Sequence, residues 1–144
     1  MNFYCDSGIF ELDENLTLSP HMKKKEILEQ NVVWEEWFPK IDGVAFNYRT
    51  IINVKNIDCN EKITVIINFN GASMDNSTLK SWLCAPTKKF SGIQHKPEGK
   101  IKKALQVWFN SRTAINLPVS ANWGKIEAAY DPHNQTAEIV CIYT

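Results

Sequence analysis

The sequence predicts a single α+β domain over residues 1–144, an antiparallel sheet of about five to six strands with two helices packed on it. Three observations carry that prediction. Residues 123–144 read as two strands joined by an Asp131-Pro132-His133-Asn134 turn, and residues 44–54 and 63–69 read as a second strand pair. A segment over residues 97–112 places apolar side chains at helical spacing between them. At 144 residues and 44% hydrophobic the chain can build one core. No internal repeat, low-complexity tract or interdomain linker is visible.

Taken in order, Ile9-Phe10-Glu11-Leu12 reads as a short strand. Ser19-Pro20 offers a hydroxyl cap followed by proline at the first helical position, which predicts a polar surface helix over residues 20–30. Residues 32–39 form a linker that sets Trp34, Trp37 and Phe38 around Glu35-Glu36. The strands over 44–54 and 63–69 follow, rich in β-branched and aromatic residues, with a polar connector between them. Residues 77–83 continue as a further strand carrying Trp82, and residues 85–99 are the least structured stretch. In the second helix Ile101, Ala104, Leu105, Trp108 and Phe109 make the apolar stripe, leaving Lys100, Lys102, Lys103 and Arg112 to the surface. In the last segment the chain finishes inside a strand, which predicts that its final residues are paired within the sheet.

Charge is balanced overall and uneven along the chain. Residues 1–61 hold eleven acids against six bases, residues 62–144 ten bases against five acids. Either the two halves neutralise each other across the folded surface, or an acidic patch docks a basic partner. Cys5, Cys59, Cys84 and Cys141 form no C-x-x-C pair, and Cys141, in an apolar strand, reads as a buried thiol. The first residues lack a basic region followed by an apolar one, and no apolar run reaches the length of a membrane span. Reduced thiols in a cytoplasmic protein that touches no membrane are the expectation, which makes the three N-x-[ST] matches chance matches.

Chemistry finds little support. A nucleophilic Ser or Cys needs a base in reach, and His21, His95 and His133 lie in no nucleophile motif. Metal binding needs clustered ligands and a phosphate cradle needs serial glycines; neither pattern occurs, so no metal, cofactor or catalytic residue is expected. Two surfaces remain. Trp34, Glu35, Glu36, Trp37 and Asp42 combine aromatic anchors with acids, as a protein interface does; the competing reading is that the tryptophans close one end of the core. Lys88, Lys89, Lys96, Lys100, Lys102 and Lys103, with Phe90 nearby, form a basic surface suited to nucleic acid, although the chain as a whole is neutral.

The run Trp123-Gly124-Lys125-Ile126 through Tyr130-Asp131-Pro132 with its return strand, after a short strand, a Ser-Pro helix, a tryptophan-bearing linker and a hairpin, resembles small bacterial immunity proteins, such as those of contact-dependent inhibition systems. The resemblance implies a cytosolic, non-catalytic protein that binds one cognate toxin domain and blocks its active site. It carries over no set of functional residues. Residues Glu35, Glu36 and Asp42, with Trp34 or Trp37, are the expected contact patch for a basic toxin cleft, and the lysine-rich segment that for an acidic one.

Overall fold

The computed structural model describes residues 1–41, 44–55, 60–87, 98–133 and 136–144. Along the chain run β1 (Asn2–Tyr4), β2 (Ile9–Glu11), β3 (Thr17–Leu18), α1 (Lys24–Leu28), β4 (Glu35–Ile41), β5 (Val44–Lys55), β6 (Asn60–Phe69), β7 (Leu79–Pro86), α2 (Glu98–Thr113), β8 (Val119–Ala121), β9 (Gly124–Asp131) and β10 (Thr136–Tyr143). Seven strands make one antiparallel sheet in the order β4-β5-β6-β7-β10-β9-β8, and β1-β2-β3 make a small second sheet. The α+β class holds. The main sheet is wider than five or six strands, because the tryptophan-bearing segment is itself strand β4 and Val119–Ala121 adds an edge beyond β9.

Two-residue alternation decides which face of each strand is buried. Ile63, Val65, Ile67 and Phe69 of β6, Trp82 and Cys84 of β7, Ile126 and Ala128 of β9, and Ala137, Ile139, Cys141 and Tyr143 of β10 all point to the inner face and are buried. Helix α2 lies on that face with Ile101, Leu105, Trp108 and Phe109 turned inward. The small sheet sits beside it, and aromatic rings join the layers. Phe10 stacks on Trp82 at 4.7 Å between centroids, and Phe3 meets Phe109 at 6.2 Å and Trp123 at 5.6 Å edge to face. The buried Tyr143 hydroxyl accepts from the Trp82 indole N–H (3.0 Å) and donates to the Gly8 carbonyl (2.7 Å), tying β1–β2 to the central strands. Gly8 itself takes φ 73°, and a Cβ there would lie 2.6 Å from the Trp123 ring, so only glycine admits this approach.

Strand β10 has neighbours on both sides, β7 and β9, so the last strand is interior to the sheet, as its sequence predicts. The first predicted helix is corrected. It spans Lys24–Leu28 only, with no side-chain cap. Ser19 and Pro20 enter a turn instead, with His21 at φ 63°. The backbone after that turn is drawn toward β7: Lys23 bridges Thr78, Leu79 N–H donates to Met22 (2.8 Å) and Lys24 N–H to Ser77 (2.9 Å). Sheet pairing of residues 22–24 holds this backbone extended and engages the Met22 carbonyl, which a helix running from Pro20 would need for its own ladder.

Candidate partner-binding surface

All the layers described above pack on one face of the seven-stranded sheet. Among the described residues no element covers the other face, and the strand register shows what it presents. One row across the sheet runs Glu35-Arg49-Ile66-Leu83-Val140-Glu127. The next runs Trp37-Asn47-Asn68-Ser81-Ile142-Lys125. On the far side of the first lies Ile51-Thr64-Ala85, with Glu138 and Ala129 paired beyond it. Ile51 and Ile142 are 50% and 40% exposed. The face therefore has an apolar middle, where β6, β7 and β10 carry Ile66, Leu83 and Val140, and charged ends.

The acidic-aromatic residues lie on edge strand β4, and the strand separates them. Glu35 and Trp37 share the open face. Glu35 forms an ion pair and hydrogen bond with Arg49, and the Arg49 guanidinium lies 3.8 Å from the centroid of the Trp37 ring. Glu36 is exposed and pairs opposite Tyr48, on the side turned toward the core. Trp34 packs against the core and its indole N–H donates to the Ile27 carbonyl (3.3 Å), so the alternative reading, in which both tryptophans close one end of the core, holds for Trp34 and not for Trp37. Asp42 lies outside the described residues, as do Lys88, Lys89, Lys96 and Phe90. Lys100 and Lys103 are exposed on α2, on the side of the molecule opposite the open sheet face. Arg112, expected at the surface, turns inward: its Nε and Nη2 donate to both oxygens of buried Glu61 (3.1 and 3.2 Å), and Trp108 Nε1 donates to the same carboxylate (2.9 Å).

Between β6, β7 and β10 the open face sinks into a depression of about 200 Å³ lined by Thr64, Ile66, Leu83, Ala85, Thr87 and Glu138 among others. It forms because Thr64, Ala85 and Thr87 are short beside Ile66 and Leu83. Burial pushes the Glu138 carboxyl above the ordinary carboxylate range, helped by the charge of Asp131 and opposed by the hydrogen bond from Thr136 (3.1 Å). The buried thiols answer to the same cause: Cys141 is pushed up to about 12 and Cys84 higher still, so both remain protonated small hydrophobes. Among the described residues no group of three or more His, Cys, Asp or Glu side chains could hold a metal ion. No helix among them is long and apolar enough to cross a membrane.

Sequence reasoning missed the open face. The signal was present: Ile66 in residues 63–67, and Val140 and Ile142 in residues 137–142, are apolar at positions where the two-residue alternation would put polar side chains. With helices available for only one side, the second apolar side needed another layer.

This chain shares its fold with a chain of known structure. It is similar to a chain of a solved structure, Rhs1-CT in complex with cognate immunity protein RhsI1, with 43% sequence identity over 99% of this chain and 86% of that chain and a TM-score of 0.86. Comparison with curated proteins finds no match. Residues 1–144 match the RhsI1 immunity protein family, and the chain belongs to that family. The relationship is to an Rhs system, where the sequence resemblance named contact-dependent inhibition.

Proposed function

We propose that this protein neutralises a cognate Rhs C-terminal toxin domain by binding it, performs no chemistry itself, and acts in the cytoplasm of the cell it protects. Family membership over the whole chain, with a relative recorded in complex at 43% identity, is the observation that carries this reading. The open sheet face supports it: an apolar middle and charged ends match the anatomy of a protein interface, and a two-layer protein with a third apolar surface has a place for another macromolecule. Within that reading the β4 patch contributes through Glu35 and Trp37, at the edge of the face, with Glu36 and Trp34 as outlying members. The Glu35–Arg49 pair offers a partner both signs of charge, so complementarity here sets register more than long-range steering.

The experiment is co-expression of the toxin domain with this chain, followed by growth measurement and co-purification of the pair at moderate salt. Rescue of growth with a stoichiometric complex is expected. Rescue without a complex would refute a binding mechanism, and a gel shift with RNA or DNA in place of toxin binding would favour the basic surface on α2.

A further inference from the structure

Glu138 differs from three other acids of the sheet, Glu35, Glu61 and Glu127. Among the described residues, Glu35 is answered by Arg49, Glu61 by Arg112 and Glu127 by Lys125 (3.3 Å), whereas no cation pairs with Glu138. Among the described residues the Thr136 hydroxyl donates a hydrogen bond to it. A carboxylate that is partly desolvated and uncompensated is costly to keep in a sheet, and here it borders the depression walled by Ile66, Leu83 and Ala85. The volume of about 200 Å³ exceeds the ~150 Å³ that admits a benzene-sized group. Apolar walls leading to an unmatched negative charge describe the complement of one kind of side chain, an aliphatic stem ending in a cation.

We propose that the Glu138 depression is the socket for a lysine or arginine side chain of the cognate toxin domain, and that this contact anchors the centre of the interface. The inference rests on the toxin-binding reading above. It commits to the partner as the source of the cation on two grounds. The depression is continuous with the apolar row Ile66-Leu83-Val140 of the open face, and a desolvated charge pair at the middle of an interface is where a hot spot forms. The stem would lie on Ile66 and Leu83, the head on the Glu138 carboxylate, with Thr136 holding the acceptor in place.

Titration calorimetry with the cognate toxin domain tests it, using wild type, Glu138→Gln, Ala85→Leu (which fills the depression and leaves the carboxylate) and, as a distant control, Glu14→Gln. Loss of affinity of tenfold to a hundredfold is expected for each of the first two variants, with the control within twofold and melting temperatures unchanged. Should Glu138→Gln fold poorly, Ala85→Leu carries the same prediction alone. Scanning the toxin's basic residues to Glu should find one substitution whose binding defect Glu138→Lys repairs. Wild-type binding with both variants within twofold of it would overturn the socket while leaving the toxin-binding reading intact. An absence of wild-type binding would sink both. Equal loss of melting temperature in Glu138→Gln and in a Lys88→Ala/Lys89→Ala variant would assign the carboxylate to the chain's own lysines and overturn the proposal.

Discussion

Replacing Leu83 by Asp separates the roles of the two sheet faces. Leu83 sits on central strand β7 between Ile66 and Val140, on the open side, and is half-buried only by its neighbours in the sheet. In the free protein an aspartate there stays partly hydrated through the open mouth of the depression. The stability cost is the loss of one cross-strand apolar contact and of β-propensity, about 1 kcal/mol. For a chain of 144 residues, that lowers the melting temperature by roughly 3–6 °C. In the complex the same carboxylate would be sealed at the centre of an apolar row. Losing a large apolar anchor there costs at least about 2 kcal/mol, and burying an unpaired polar group adds roughly 1–3 kcal/mol more. The sum corresponds to a Kd weakened by at least a hundredfold. Surface plasmon resonance against the toxin domain and a thermal melt of the free variant together measure both quantities. The same substitution at Ser120, on β8 at the far edge and exposed, should change neither by much. A Leu83→Asp variant that melts normally and binds within threefold of wild type would show that the open face is not the interface.

Other outcomes follow from the geometry. Glu61→Ala removes the shared acceptor of Arg112 and Trp108, leaving a buried indole N–H and a largely buried guanidinium unmatched; a loss of about 3 kcal/mol is expected by urea denaturation. Most of that loss should already be present in Arg112→Ala, so that the double variant is far from additive. Gly8→Ala forces a Cβ onto the Trp123 ring at a positive φ and should destabilise by at least about 2 kcal/mol, while Gly99→Ala, whose Cβ would meet nothing, should not. Toxin affinity should fall as pH drops through the raised titration range of Glu138, because the charged form pairs with the partner's cation and the free protein holds its proton unusually high. The sign is fixed: burial favours the protonated carboxyl in the free protein, a cation favours the ionised one in the complex, so binding expels protons. Calorimetry in buffers of different ionisation enthalpy reads that release, and Glu138→Gln should abolish it.

Strands and the second helix were legible because their signals are local. β9, β10, β5 and β6 announce themselves by β-branched runs, and α2 by Ile101, Leu105, Trp108 and Phe109 on one stripe, all four of which are buried. The failures were all tertiary. Ser19-Pro20 is a good helix start in isolation, yet residues 22–24 pair with the start of β7, more than fifty positions away, and the helix begins later. Arg112 continues the Ile101-Leu105-Trp108 stripe of the helix, so its spacing points inward while its charge points outward, and Glu61 on β6 supplies the buried partner that settles the conflict. The Trp34–Asp42 patch was a composition signal, and composition does not say which side of a strand each residue takes: β4 turns Glu35 and Trp37 one way and Glu36 the other. The open face needed the count of available covering layers, a property of the assembled fold.

The placement of β10 makes the continuity of the open face depend on one strand. Val140 and Ile142 reach the open face from a strand that is threaded between β7 and β9, so a chain lacking this strand holds two separate sheet fragments, β4 through β7 and β9 with β8. Neither fragment has the full apolar row or the Glu138 carboxylate. The open face as a continuous surface therefore exists only when β10 is seated between its two neighbours.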